Sequence, residues 1–147
     1  MQKKNNDKLN RKTIEVFKKS KKIPLVLILD NVRSLNNIGS IFRTADAFLI
    51  EKIYLCGICA TPPNREINKT ALGATESVDW EYTREVKSLL NNLKKIGTKI
   101  YALEQVYGST SLEKFKIKST EKYAFILGNE VKGVSQEALN LCDGAIE

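Results

Sequence analysis

The sequence predicts a single α/β domain with a mostly parallel sheet flanked by helices. Short, continuous apolar runs alternate along the chain with segments of helical periodicity. This alternation is typical of parallel strands that are buried on both faces and joined by helices. The chain has 147 residues, which suits one domain with its own core.

The first predicted elements are a short helix and a buried strand. Residues 8–19 place Leu9, Val16 and Phe17 on one helical face with lysines opposite, so they predict an amphipathic helix. The run PLVLILD, residues 24–30, is apolar until its last residue and predicts the first strand.

A second helix and a second strand follow. IGSIFRTADAF, residues 38–48, repeats its apolar side chains at helical spacing, and this helix is expected to begin near Asn36 or Asn37. KIYLCGI, residues 52–58, predicts a strand. The polar connection over residues 61–77 has room for a helical turn.

The second half of the chain continues the alternation. Residues 85–97 predict the clearest helix, because their apolar side chains share one face and Gly97 supplies a C-terminal stop. Ser135 is a favourable N-cap for a last helix. The expected strands of this half are rich in apolar and aromatic residues: 78–83, 98–105, 122–128 and the beginning of another at 145–147.

Positive charge is concentrated at the N-terminus. Residues 1–22 hold nine of the 24 Lys and Arg residues and two of the 17 Asp and Glu residues, so the other 125 residues hold 15 of each sign. We therefore predict a basic arm over residues 1–22 and a folded domain over residues 23–147. Such an arm suits nucleic acid, because each neutralised phosphate releases counterions. Lys12, Lys18 and Lys19 are the candidate contacts, and a solvated lysine-rich helix is the alternative.

The residue inventory excludes several kinds of site. The sequence contains no histidine, which excludes Ser-His-Asp and Cys-His catalysis and the usual zinc centres. Cys56 and Cys59 lie in or just after a strand and not at a helix N-terminus, so we interpret them as buried cysteines and not as a redox pair. A zinc site would need two further ligands, and only Cys142 remains as a thiol. No metal is expected.

Two features predict a cytoplasmic location without membrane contact. No apolar run approaches the ~20 residues that cross a bilayer. The lysine-rich N-terminus lacks the apolar segment of a secretory signal.

The stretch LGNEVKGVS, residues 127–135, follows a predicted strand and precedes a predicted helix. Gly128 and Gly133 have the spacing of a phosphate-binding loop, but Val134 stands where that loop has its lysine. Glu130 would repel a phosphate at close range and would suit a cationic ligand or a hydroxyl donor. A tight turn with an exposed glutamate is the alternative, and a nucleotide hydrolase is disfavoured.

The stretch DNVRSLNNIGSIFRTAD, residues 30–46, also follows a strand. On a helical wheel Arg43 projects away from the apolar face, where it could meet an anion such as an RNA phosphate. Gly39 permits close backbone approach, and Asn37 could cap the helix. A solvated arginine and an ordinary cap are the alternative.

These two stretches carry a family resemblance. DNVRSLNNIGSIFRTADAF resembles the first signature of the SpoU/TrmH-type RNA 2′-O-ribose methyltransferases of the SPOUT superfamily, and ILGNEVKGVSQEALNLCD resembles the second. KTALGATESVDWEY and IYALEQ are similar to the segments between them, so the resemblance covers about residues 8–147. It implies an α/β fold of the SPOUT type with a C-terminal trefoil knot, a homodimer, S-adenosylmethionine as cofactor and structured RNA, either tRNA or rRNA, as substrate.

The resemblance also assigns roles to individual residues. It implies that Arg43, Asn37 and Glu130 are catalytic: Arg43 would grip a phosphate and stabilise the developing alkoxide, and the other two would orient Arg43 and the ribose. Gly128 is similar to the family's cofactor-contacting glycine. Leu103 stands where the family contacts the cofactor through its backbone.

The sequence departs from this family after CDGAIE, where a third motif and the segment that completes the knot would follow. The resemblance therefore implies an incomplete knot within these 147 residues and weak or no cofactor binding. Two possibilities stay open, a fragment and a naturally truncated chain, and the codons after residue 147 would distinguish them. A non-catalytic RNA-binding module, or an inactive fragment of such an enzyme, is the alternative function.

Overall fold

A computed structural model describes residues 1–5 and 8–147 and contains one six-stranded sheet in which all strands are parallel. The spatial order of the strands is β3-β2-β1-β5-β4-β6. The strands are β1 (Ile23–Asp30), β2 (Ile50–Cys56), β3 (Trp80–Thr83), β4 (Lys99–Leu103), β5 (Tyr123–Gly128) and β6 (Gly144–Ile146). The predicted α/β class with a parallel sheet is confirmed.

Helices cover both faces of this sheet. They are α1 (Ile14–Lys19), α2 (Leu35–Ala47), α3 (Arg65–Ala71), α4 (Ala74–Ser77), α5 (Val86–Lys95) and α6 (Gln136–Leu139). Within the described part of the chain, no helix is long and apolar enough to cross a membrane.

The core has two halves, one on each face of the sheet. Leu29 of β1 packs with Phe42 of α2 on one face, and its neighbour Ile28 packs with Leu90 of α5 on the other. All four side chains are fully buried. Burial on both faces explains why the central strand has an unbroken apolar run and not an alternating pattern.

The strand order places the first strand at the centre of the sheet. β1 pairs with β2 on one side and with β5 on the other, and Asp30 at its end lies opposite Cys56 and Gly128. In a parallel sheet the chain reverses its direction of winding at such a point, and the loops that leave the neighbouring strands diverge to form a crevice. The loops after Asp30 and Gly128, which contain the two motifs, meet there.

The N-terminal helix is shorter than predicted. It begins after Thr13, whose side chain accepts a hydrogen bond from the Val16 backbone, and not at residue 8. Phe17 is buried, whereas Leu9 and Val16 are exposed, so the predicted three-residue apolar face is wrong. Residues 6 and 7 of the predicted arm lie outside the described residues.

The polar connection over residues 61–77 contains two helices and not a single turn. Asn64 caps α3 by accepting hydrogen bonds from the Glu66 and Ile67 backbones. Only Ile67 and Ala71 of this helix are buried, which leaves too little periodicity for a prediction.

Gly39 allows the close backbone approach that the sequence predicts, and the element that approaches it is the helix α3. A Cβ at Gly39 would lie 2.2 Å from the Ile67 carbonyl oxygen.

Candidate functional site

The loops at the carboxyl edge of the sheet enclose a cavity of about 910 Å³. It is bordered by the segments that follow β1, β2, β4 and β5 and by α6. Its lining residues are Asn31, Arg33, Ile58, Glu104, Gln105, Val106, Asn129, Val131, Lys132, Gly133, Val134, Ser135, Gln136 and Leu139. Ligands of parallel α/β proteins bind at this edge. The predicted site residues Asn37, Arg43, Leu103, Gly128 and Glu130 are not among those that line the cavity.

The glycine loop after β5 folds back on the end of its own strand. The backbones of Asn129 and Gly133 exchange hydrogen bonds of 3.0 and 2.8 Å, and Gly133 has a φ of +68°. The Asn129 side-chain oxygen accepts the backbone N–H groups of Val131 and Lys132. Hydrogen bonds between its own residues therefore help to fix the shape of the loop.

Gly128 is required by the packing of this loop. A Cβ at Gly128 would lie 2.1 Å from the backbone nitrogen of Val134 and from the carbonyl carbon of Gly133. Neither atom belongs to a flexible side chain, so no larger residue fits unless the loop moves. The packing of the loop by itself accounts for this glycine, and cofactor contact stays a prediction.

Glu130 joins the two motifs. Its carboxylate accepts the backbone N–H groups of Arg33 and Ser34, each at 3.0 Å, and the side-chain amide of Asn37 at 3.1 Å. Partial burial would raise the pKa of Glu130, but hydrogen bonds from Arg33, from its own backbone, from Ser34 and from Asn37 together lower it below its ordinary value. The carboxylate is therefore held in its charged form at the start of α2.

The N-cap of α2 is Ser34 and not Asn37. The Ser34 side chain accepts a hydrogen bond from the Asn37 backbone at 3.2 Å, which places Asn37 in the first turn. Its side chain is then free to reach Glu130. The predicted helix start near Asn36 or Asn37 is one or two residues late, because Leu35 is already helical.

Arg43 projects into solvent from the third turn of α2, as the helical wheel predicts. Among the described residues it makes no ion pair, and in particular none with Glu130. The expected contact between Arg43 and Glu130 is therefore wrong. The reason is that the backbone amides before α2 lie closer to the carboxylate and satisfy it.

Leu103 and Gly128 end adjacent strands but do not line the cavity as the structure describes it. Leu103 is 37% exposed. The pairing of β4 with β5 ends at Ala102 and Ile126, so Leu103 and Gly128 lie beyond it, although Gly128 still pairs with Asp30 and Leu103 with Ile146. This position is compatible with backbone contact to a ligand, which stays a prediction.

Two carboxylates that the sequence analysis did not single out support the same loop. Asp30 is 1% exposed and accepts the Asn31 side-chain amide and the Ser135 backbone N–H, each at 2.8 Å. Glu104 accepts the Val134 backbone N–H at 2.9 Å. A charged residue that ends an otherwise apolar strand run was the available signal for Asp30.

The lysines of the arm lie away from the cavity. Phe17 anchors α1 in the core, and Lys18 and Lys19 are exposed on its last turn, while Lys12 donates to the Ser20 side chain at 2.9 Å. The arm joins β1 at its amino end, and the eight residues of β1 span roughly 26 Å. An RNA that contacts both regions must reach across the sheet.

Cys56 and Cys59 are buried, and burial disfavours their reactive thiolate forms. Burial is the main reason that the pKa of Cys56 is raised to about 12, and the charges of Cys59 and Asp30 add to it. Burial also raises the pKa of Cys59. This agrees with the prediction of structural cysteines. In residues 1–5 and 8–147, no group of three or more Cys, Asp or Glu side chains is arranged to hold a metal ion.

Comparison with known proteins identifies the family. The model of the SpoU rRNA methylase family matches residues 24–147, which is most of the chain. The chain belongs to the SpoU methylase family. A relative described as an uncharacterized tRNA/rRNA methyltransferase of Borreliella burgdorferi is 34% identical over 121 residues, which are 82% of this chain and 51% of that protein.

Other proteins are similar to this chain over comparable lengths. The tRNA (guanosine(18)-2′-O)-methyltransferase of Thermus thermophilus is 29% identical over 140 residues, which are 93% of this chain and 69% of that protein. The solved structure of an rRNA methyltransferase of Sinorhizobium meliloti bound to S-adenosylmethionine has a TM-score of 0.76 and 22% identity, and the likeness covers 90% of this chain and 49% of that one. This likeness shows the fold. The chain spans about half the length of the Borreliella relative.

Proposed function

We propose that this chain takes part in the transfer of a methyl group from S-adenosylmethionine to a ribose 2′-hydroxyl of tRNA or rRNA. Membership of the SpoU family supports this function. The structural observation that carries it is the 3.1 Å hydrogen bond between Asn37 and Glu130, which brings the two distant motifs into one site. Both residues belong to the set to which the family resemblance assigns catalytic roles.

The carboxyl edge has room for a small charged molecule. Asp30, Glu104 and Glu130 place three carboxylates on the segments that form it, and Arg33 and Lys132 line its cavity. A volume of about 910 Å³ is within the ~300–1,000 Å³ range of small-molecule sites. S-adenosylmethionine supplies, when bound, an electrophilic methyl group on a positively charged sulfur. We infer that Leu103 and Gly128 contact its adenosine through their backbones.

The chain's own part in the reaction is to bind and orient the acceptor. A ribose hydroxyl is a weak acid, so its proton must leave as the oxygen gains the methyl group. Arg43, exposed and unpaired among the described residues, binds the adjacent phosphate and stabilises negative charge on that oxygen. The charged guanidinium of Arg43 has no acceptor for a proton and does not serve as the base, so the proton passes to solvent. Asn37 and Glu130 position the ribose.

Methyl transfer and cofactor binding are tested separately. The purified chain is incubated with S-adenosylmethionine carrying a tritiated methyl group and with unmodified tRNA or rRNA transcripts. Tritium that digestion recovers in 2′-O-methylnucleosides supports the function. RNA binding without methyl transfer, and without heat on titration with S-adenosylmethionine, supports a non-catalytic RNA-binding module and counts against the enzyme.

The family resemblance also supports a homodimer, a C-terminal trefoil knot in the whole protein, and a cytoplasmic location. Sedimentation velocity tests the first of these. A species of twice the chain mass that persists on dilution supports a homodimer. A single species of the chain mass at every concentration counts against it.

A further inference from the structure

Three large apolar side chains are left in solvent at the carboxyl edge of the sheet. Ile58 is 63% exposed, Val131 is 87% exposed and Tyr107 is 108% exposed. They lie on three different loops, which follow β2, β5 and β4 in that order. Side chains of this kind cost free energy in water when they lie together, so a group of them at a functional edge indicates a surface that binds something.

These side chains surround two adjoining cavities. Ile58 and Val131 line the cavity of about 910 Å³, and Tyr107 lines a second one of about 520 Å³. The two cavities share the wall formed by Gln105, Val106, Gln136 and Leu139. Tyr107 precedes Gly108, whose φ of +84° makes the tight turn that projects the tyrosine outward.

Two cations stand among the apolar side chains. Arg33 and Lys132 line the first cavity, and within the described residues neither makes an ion pair. The nearby carboxylates of Glu130 and Glu104 do not pair with these cations, because they accept backbone N–H groups instead. The two cations therefore remain available for an anion from outside the protein.

We propose that Arg33, Ile58, Tyr107, Val131 and Lys132, here called the rim, form the docking surface for an unpaired segment of RNA. Bases stack on the tyrosine and pack against the two aliphatic side chains, and the cations contact the phosphates between them. Apolar and aromatic groups interleaved with cations are the usual surface for single-stranded nucleic acid. This inference rests on the proposed function for its choice of an RNA partner.

Charge and shape favour unpaired RNA over the other occupants. A two-fold contact between copies of this chain would place rim against rim and bring like charges of Arg33 and Lys132 together. A paired RNA helix presents mainly phosphates and ribose hydroxyls to side chains, so it gains little from the exposed apolar groups. An unpaired segment satisfies both the cations and the apolar groups.

Fluorescence anisotropy tests the rim with two labelled probes, an RNA stem-loop and a blunt duplex of the same stem. We expect Tyr107→Ala to weaken stem-loop binding by roughly 5- to 150-fold, the equivalent of losing one base stacked on an aromatic ring. Duplex binding stays unchanged, and Tyr107→Phe keeps the wild-type affinity. Ile117→Ser is the matched control, because Ile117 is 66% exposed and lines neither cavity.

Several results would overturn the inference. They are a Tyr107→Ala variant with the wild-type stem-loop affinity, an equal loss on both probes, and a wild-type chain that binds no stem-loop. If Val131→Ser turns a dimer into a monomer and leaves RNA affinity unchanged, the rim is instead a contact between copies. If the proposed function fails, methyl transfer is absent but the rim-dependent preference for the stem-loop remains. If the inference fails, methyl transfer is present and the preference does not depend on the rim.

Discussion

Glu130 accepts a hydrogen bond from the side-chain amide of Asn37 at 3.1 Å, although 93 residues separate them in the sequence. The same carboxylate accepts the backbone N–H groups of Arg33 and Ser34. One side chain thus ties the loop after β5 to the loop after β1. The two loops of the site are held together by charge-assisted hydrogen bonds.

This contact makes stability depend on pH. Because folding lowers the pKa of Glu130 below its ordinary value of 4.5, the stabilisation is fully present above that value and is lost as pH falls through the folded-state pKa. We expect Glu130→Gln to reduce the free energy of unfolding at neutral pH and to match the wild type more closely in acid. Urea unfolding at both pH values measures the difference, with Glu113→Gln, an exposed glutamate, as the control. A difference in the free energy of unfolding between the wild type and Glu130→Gln that does not change with pH would contradict this account.

Gly128→Ala tests the packing of the glycine loop. The added Cβ would lie 2.1 Å from backbone atoms, so the loop must move, at a cost of about 1–3 kcal/mol or more. Gly97→Ala is the matched control, because Gly97 has a φ of +82° but nothing within 4 Å of an added Cβ. Thermal unfolding should show a larger loss for Gly128→Ala. A loss of thermal stability equal to that of the control would mean that the loop moves at little cost to accommodate the added Cβ.

Asp30→Ala should destabilise the fold by about 1–3 kcal/mol, because it leaves the part-buried backbone N–H of Ser135 without its acceptor. Urea unfolding measures the loss. Asp79→Ala, at an exposed position before β3, is expected to cost much less. Equal losses at the two positions would show that the Asp30 hydrogen bonds contribute little.

Arg43→Ala should leave folding intact, since the side chain is exposed, and should slow methyl transfer by about 100-fold or more, the range for loss of a group that stabilises developing charge. Single-turnover kinetics on an RNA substrate measure the rate. Arg43→Lys should restore only part of it, because an ammonium cannot bind a phosphate in a bidentate way. A rate within about tenfold of the wild type, with RNA affinity retained, removes Arg43 from the catalytic set.

The arm should contribute charge without selectivity. Replacing Lys12, Lys18 and Lys19 with Gln is expected to weaken binding of every RNA alike and to reduce the slope of log affinity against log salt by up to about 3. Anisotropy titrations over a range of salt concentrations measure that slope. Lys87→Gln on α5 is the control. An effect confined to one RNA would mean that the arm reads structure or sequence.

Local patterns made parts of the fold predictable. The strand at Ile23–Asp30 and the helix at Val86–Lys95 agree with the predictions to within one or two residues, because an apolar run and an apolar face are visible in neighbouring residues. The α3 helix was not predicted. Its stability comes from Asn64 as a cap and from packing on Gly39, which lies on another helix.

The candidate site residues also divide into those that a local pattern could predict and those that depend on distant contacts. The pattern around Arg43 was sufficient to place its side chain in solvent, since helical geometry alone decides which way it points. It was not sufficient to identify the partner of Glu130, because four donors compete for one carboxylate and only their positions in space decide between them. The Asp30 and Glu104 contacts depend in the same way on strand order.

By itself, therefore, the sequence determined the α/β class, the positions of most strands, the buried cysteines and the two motifs. Each of these follows from a pattern of side chains only a few residues apart in the chain. The tertiary structure decided the strand order, the contact of Glu130 with the start of α2, and the exposed rim around the cavity. These depend on contacts between residues up to 105 positions apart in the chain. Such contacts are set by how the whole chain packs around one sheet, and no local pattern encodes them.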